Sequence, residues 1–173
     1  MAPRWAQGYS HGSLIASLQP VLPAPIKTSH ILLSYPLTTR GLITLFHTTK
    51  YTSALTELIN NPSSNTLIIF GTRDDFTGEG AYDRWVQTLE KEAEGGEGKG
   101  CLRFAKVDGA THFWAGEYGR QLGRLIEAWL SWTTFFTMKY ACVSICVCDR
   151  EKWYPYFSSY TKWGGGGYMY VYK

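Results

Sequence analysis

Three short segments of the chain carry residue types that together could cleave an acyl bond. Ser10 lies in the segment GYSHG at residues 8–12, which matches the pattern Gly-x-Ser-x-Gly. Two neighbouring acids, Asp74 and Asp75, lie in the second segment, and His112 lies in the third. A serine hydroxyl, an imidazole and a carboxylate are the groups that serve as nucleophile, general base and orienting acid in acyl transfer. The elements around the three segments decide whether these groups can meet.

The first segment has the composition of a sharp turn between a strand and a helix. Glycines two residues on either side of Ser10 allow the strand and the helix to pass closely, and the backbone N–H of His11 is then free to face a developing oxyanion. The apolar run at 13–16 predicts the helix. Residues 2–7 include a proline and an arginine, so they do not predict a buried strand ahead of the turn.

Both other segments follow predicted strands. Residues 66–71 (TLIIFG) form a continuous apolar run, which is typical of a parallel strand covered on both faces, and residues 102–107 (LRFAKV) predict another strand. A further strand is predicted at 30–35. Open α/β sheets bind their ligands beyond the carboxyl ends of the strands, where the acids and the histidine would lie.

Predicted helices alternate with these strands. Helical spacing of apolar residues covers 13–19, 41–60, 80–94 and 117–132. Alternation of this kind predicts the α/β class, with a parallel sheet of about three to four strands and flanking helices.

The segments GYSHGS, IIFGTRDDFTG and DGATHFW resemble the three catalytic segments of small lidless α/β-hydrolases, the dienelactone-hydrolase-like branch. The resemblance covers residues 8–132 and implies a partial α/β-hydrolase fold. It implies Ser10 as nucleophile, His112 as general base and Asp74 as the acid, with Asp75 as the runner-up. The N–H of His11 would bind the oxyanion, and Tyr9 and Trp114 could line an acyl pocket.

The resemblance implies a serine hydrolase of the esterase or thioesterase type, acting on a small acyl substrate without cofactor or metal. In the family the Gly-x-Ser-x-Gly turn lies near the middle of the chain, whereas here it begins at residue 8. We therefore expect an N-terminally truncated domain with impaired catalysis, or a non-catalytic remnant of a hydrolase. A sheet edge left open by missing strands could drive self-association.

The last part of the chain differs in composition from the rest. Residues 1–132 contain 12 basic and 12 acidic residues, whereas residues 133–173 contain 5 and 2, together with three of the four cysteines and a run of four glycines. We predict a hydrolase-like domain at 1–132 and an aromatic, cysteine- and glycine-rich tail at 133–173, irregular or helical. No metal cluster and no nucleic-acid binding are expected of the tail.

The expected location is the cytoplasm. Residues 1–7 lack the apolar core of a secretory signal, and the first 132 residues hold a single cysteine. The alternative is a membrane-anchored or partner-binding fragment that uses the apolar segment 128–148, in which Lys139 is the only charge.

Overall fold

The computed structural model describes residues 4–38, 48–94, 98–140, 160–162 and 168–172. Strands and helices alternate through most of this chain, as the sequence predicts. In order they are β1 (Arg4–Tyr9), α1 (His11–Ser17), β2 (Thr28–Leu33), α2 (Thr48–Asn60), β3 (Ser64–Arg73), α3 (Glu79–Ala93), β4 (Cys101–Thr111), α4 (Glu117–Tyr140), β5 (Tyr160–Lys162) and β6 (Tyr168–Tyr172).

Four parallel strands, β1 to β4, lie side by side in chain order. The prediction of an α/β fold with a parallel sheet and flanking helices is confirmed. Beyond β4 the sheet continues with β6, which is parallel to β4, and then with β5, which is antiparallel to β6. The sequence did not predict these two strands, which come from the part of the chain expected to be irregular or helical.

Strand β1 corrects the expectation that no strand precedes the Gly-x-Ser-x-Gly turn. It pairs with β2 in register from Arg4 opposite Thr28 to Tyr9 opposite Leu33. β1 lies at one end of the sheet order, and Gly8 is its only buried residue. A strand with exposed faces at a sheet edge needs no continuous apolar run, so its polar sequence is compatible with its position.

The sheet is covered on both faces. Helices α1, α2 and α3 pack on one face over apolar residues of the strands, which include Leu32, Ile68, Phe70, Leu102 and Phe104. Helix α4 packs on the other face of the sheet through Leu125 and Trp129. The strand residues of this buried cluster include Ile31, Leu33, Leu67, Ile69, Ala105 and Val107. Because consecutive residues of β2 and β3 face opposite layers, both strands are buried almost throughout.

Helix α4 is longer than the predicted helix 117–132, because residues 133–140 contain no proline or glycine that would end it. The second half of the proposed apolar segment, residues 141–148, lies outside the described residues, and so do the three tail cysteines. Within the described part of the chain, no helix combines the length and apolar character needed to cross a bilayer. The boundary at residue 132 stays a prediction.

Candidate active site

The structure brings Ser10, His112 and Asp74 together at the carboxyl edge of the sheet. Ser10 follows β1, Asp74 follows β3 and His112 follows β4. The Nε2 atom of His112 lies 3.0 Å from the Oγ of Ser10, and its Nδ1 atom lies 2.8 Å from the Oδ2 of Asp74. The three side chains form one continuous chain of hydrogen bonds, although 102 residues separate the serine from the histidine.

Ser10 occupies a backbone conformation that L-residues rarely adopt. Its φ is 52° and its ψ is −120°. The Ser10 N–H donates to the carbonyl of Leu33 at 2.9 Å, and its own carbonyl accepts from both the N–H and the hydroxyl of Ser13. Such conformations cost about 1–3 kcal/mol and persist only where the surroundings fix them. These bonds fix the turn and leave the Ser10 hydroxyl available to His112.

The two glycines of the turn differ in what they make room for. A Cβ atom on Gly8 would lie 1.9 Å from the carbonyl oxygen of Gly12, which is an impossible contact, so the strand and the helix meet only because residue 8 has no side chain. A Cβ atom on Gly12 would meet nothing within 4 Å. The steric role expected of both glycines therefore belongs to Gly8.

Asp74 is the acid that contacts the histidine, and Asp75 is exposed to solvent. The Asp74 carboxylate is buried, and its Oδ1 atom accepts the backbone N–H groups of Phe76 and Thr77, both at 2.9 Å. Its second oxygen faces His112. Because each oxygen of the carboxylate has its own partners, the turn after β3 holds it in one orientation.

Tyr82 of α3 closes the buried side of the acid. Its hydroxyl donates to the carbonyl of Tyr35 at 3.1 Å and lies 3.4 Å from the Oδ2 of Asp74. Burial, and then the negative charge of Asp74, raise the pKa of the Tyr82 phenol far above its ordinary value. The hydroxyl therefore stays protonated and remains a donor beside the carboxylate.

His112 is held by its backbone and by the residues beside it. The Tyr9 hydroxyl donates to the His112 carbonyl at 3.0 Å, and partial burial followed by the charge of Asp74 raises the pKa of this phenol. Two residues on, the indole N–H of Trp114 donates to the hydroxyl of Ser34 at 2.9 Å. Trp114 is buried in the core between the sheet and α4, so it does not line an acyl pocket, which the sequence had suggested it could. Tyr9 is half-exposed and its ring lies beside that of His112.

Backbone strain is concentrated at this edge. Ser10, Ser34 and Trp114 are the non-glycine residues with positive φ in the described chain, at 52°, 48° and 49°. Each lies in a segment that follows a strand of the sheet. Strained backbone conformations are commonest at active sites and ligand-binding sites, so their position marks this edge of the sheet as a candidate functional site.

The hydrogen-bond pattern suits proton transfer from the serine. With the proton of the neutral ring on Nδ1, that N–H donates to Asp74, and Nε2 is left to accept the proton of the Ser10 hydroxyl. His11 directly follows Ser10 and begins α1, where backbone N–H groups have no acceptor within the helix. The assignment of its N–H to an oxyanion stays a prediction.

Several residues around the triad escaped the sequence analysis. The sequence places Tyr82 in the predicted helix 80–94 without a role at the site, and it indicates no role for Ser34, Phe76 or Phe113. No local pattern distinguishes them, because their partners lie 47 to 80 residues away or become neighbours only through the convergence of the strand ends. The one available signal is an aromatic residue within two positions of each catalytic candidate.

No group of three or more His, Cys, Asp or Glu side chains within the described ranges is arranged to hold a metal ion. Comparisons with protein-family models, with curated proteins and with solved structures find no match to this chain.

Proposed function

We propose that this chain is a serine hydrolase of the α/β-hydrolase type, which cleaves an ester, thioester or similar acyl bond of a small molecule. The observation that carries the proposal is the pair of hydrogen bonds that joins Ser10 Oγ to His112 and His112 to the buried carboxylate of Asp74. The order of the three residues along the chain supports it, as does their position at the ends of three parallel strands, β1, β3 and β4.

Acylation begins with the serine. As the Ser10 oxygen attacks the carbonyl carbon, Nε2 of His112 takes the hydroxyl proton, and the Asp74 carboxylate stabilises the imidazolium that forms. The carbonyl oxygen becomes an oxyanion that the N–H of His11 binds. One such donor is worth about 3 kcal/mol in the transition state. The protonated histidine then gives its proton to the leaving alcohol or thiol, and the serine ester remains.

Deacylation repeats the same steps with water. His112 takes a proton from a water molecule as that water attacks the acyl carbon, and the collapse of the second tetrahedral intermediate returns the proton to Ser10. Asp74 serves both halves of the reaction because it keeps the imidazole in one tautomer. Two backbone N–H groups in the turn after β3 and the Tyr82 hydroxyl on α3 hold the carboxylate that contacts the imidazole, which suits that task.

A fluorophosphonate probe tests the proposal, since it forms a covalent bond only with an activated serine. We expect stoichiometric labelling of Ser10 in the full chain, located by peptide mapping. Ser10→Ala should abolish labelling, while Ser53→Ala, which changes an exposed serine of α2, should leave it unchanged. If well-folded protein is not labelled, the chain is a non-catalytic relative of such enzymes, which is the alternative already expected from its sequence.

A further inference from the structure

Exposed aromatic side chains gather around the candidate histidine. Among the described residues, five large apolar side chains are strongly exposed, and three of them lie around His112: Tyr9 at 42%, Phe76 at 46% and Phe113 at 67%. The other two are Trp5 and Ile15. Exposed large apolar groups scattered singly need no explanation, but a contiguous group at a reactive site indicates binding.

The rings are in direct contact with the imidazole. The centroid of the Phe76 ring lies 4.6 Å from that of His112, and the corresponding distances are 5.2 Å for Tyr9 and 5.7 Å for Phe113. Phe76 and Phe113 also meet each other at 6.1 Å. The interplanar angles of 67°, 75° and 84° among Phe76, Phe113 and His112 are all edge-to-face, which is a geometry that aromatic pairs prefer and that a ligand ring could also adopt against these side chains.

The backbone beneath these rings is anchored. The N–H of Phe76 is bonded to Asp74, and its carbonyl accepts a hydrogen bond from the hydroxyl of Thr38. Phe113 lies between buried His112 and buried Trp114, and the Tyr9 hydroxyl is bonded to the His112 carbonyl. An aromatic surface on a fixed backbone loses little conformational freedom when a ligand binds to it.

We propose that Tyr9, Phe76 and Phe113, here called the aromatic rim, bind an aromatic ring that the substrate carries close to its scissile bond. This inference rests on the proposed function and adds the substrate class: a neutral ester with an aryl group one or two bonds from the ester. The rim borders the imidazole that contacts Ser10 Oγ, so such a ring lies on the rim while the carbonyl reaches the serine. The ring belongs either to the alcohol or to the acyl part.

Two pairs of substrates match an aryl ester with a saturated ester of similar size, and dividing each rate by the alkaline hydrolysis rate of the same ester removes the difference in intrinsic reactivity. Benzyl acetate and cyclohexylmethyl acetate differ in the aromaticity of the alcohol part, and methyl phenylacetate and methyl cyclohexylacetate differ in that of the acyl part. The ratio of kcat/KM within each pair measures the preference for aromaticity. We expect about threefold to tenfold in favour of the aromatic ester in one pair, and that pair identifies which part of the substrate meets the rim.

Phe76→Leu and Phe113→Leu keep an apolar side chain and remove the ring. Each should bring the ratio towards one, and a ratio within one enzyme cancels any general loss of activity. Trp5→Leu is the matched control, because Trp5 is also exposed but lies at the opposite end of β1 from Tyr9. The control should retain the preference of the native chain.

The outcomes separate this inference from the function on which it rests. Hydrolysis of all four esters with ratios near one, or with ratios that the leucine variants do not change, overturns the aromatic rim and leaves the hydrolase proposal intact. If Ser10 is not labelled and no ester is cleaved, the hydrolase proposal fails. The rim is then judged on binding alone, by ligand-observed NMR with N-benzylacetamide and N-(cyclohexylmethyl)acetamide. Equal binding of the two amides overturns it, and preferential binding of the benzyl compound that Phe113→Leu removes supports it.

Discussion

The strand ends that carry Ser10 and Asp74 reach the same site by different physical means. β1 is exposed along most of its length, and its turn depends on the missing side chain of Gly8 and on a strained backbone at Ser10. β3 is buried along most of its length, and its turn depends on hydrogen bonds to both oxygens of Asp74. The Ser10 turn thus combines a close glycine contact and backbone hydrogen bonds with a strained residue, whereas the Asp74 carboxylate is buried and held by hydrogen bonds to its own two oxygens.

The largest effect is expected at Asp74, after β3. Asp74→Asn should slow the labelling of Ser10 by about 10³–10⁴-fold, because an amide N–H facing Nδ1 favours the tautomer that cannot accept the serine proton. The measurement is the second-order rate constant for the fluorophosphonate probe. Asp75→Asn removes the neighbouring exposed charge and should change this rate little. Equal losses in the two variants would contradict the assignment of the acid.

Substitutions at Gly8 and Gly12 test whether the close approach of strand and helix controls the turn after β1. Gly8→Ala should lower the free energy of unfolding by about 3 kcal/mol, since the new methyl group collides with the backbone of Gly12. Gly12→Ala places its methyl group in open space within a helix and should be neutral, or stabilising by up to about 1 kcal/mol. Urea unfolding of the two variants measures the difference. Similar losses for both would show that the close approach does not control the turn.

A smaller effect is expected at the contact between the segment after β4, which carries His112, and Ser34 at the end of β2. Trp114→Phe and Ser34→Ala each remove the buried bond between the indole N–H and the serine hydroxyl, at a cost of about 1 kcal/mol. The double variant should lose less than the sum of the two, because both changes break the same bond. Additive losses in urea unfolding would mean that the bond contributes nothing of its own.

The smallest expected effect is a pH dependence of stability that arises at His30 in β2, the strand that pairs with β1. Burial lowers the pKa of His30 in β2, although the hydrogen bond to the Gln19 carbonyl partly opposes this shift. The unfolded chain therefore binds a proton more readily, so stability should fall as pH decreases below the ordinary histidine pKa of about 6.5. Unfolding midpoints at pH 7.5 and 5.5 measure the slope. His30→Gln should reduce it, and an unchanged slope would assign the effect to other groups.

The sequence predicted the strands β2, β3 and β4 and the position of Asp74 and His112 after the last two, because apolar runs and turn chemistry are local signals. It missed β1, since an edge strand needs no apolar run and its pairing with β2 is a long-range property. It also missed the roles of Tyr82 and Ser34. Their value lies in single polar atoms that face Asp74 and Trp114, and side-chain patterns do not encode such distant pairings.

To the turn that holds the Asp74 carboxylate, position 76 contributes only its backbone N–H, while its exposed side chain packs against the ring of His112. Asp74 and the Phe76 ring therefore lie in the same short loop, but the hydrogen bond to Asp74 does not involve the Phe76 side chain. Under the aromatic-rim proposal, exchange of the residue at 76 alters the preferred ligand while Asp74 keeps its backbone hydrogen bonds. This position is accordingly a suitable one to randomise first in laboratory evolution towards new acyl compounds.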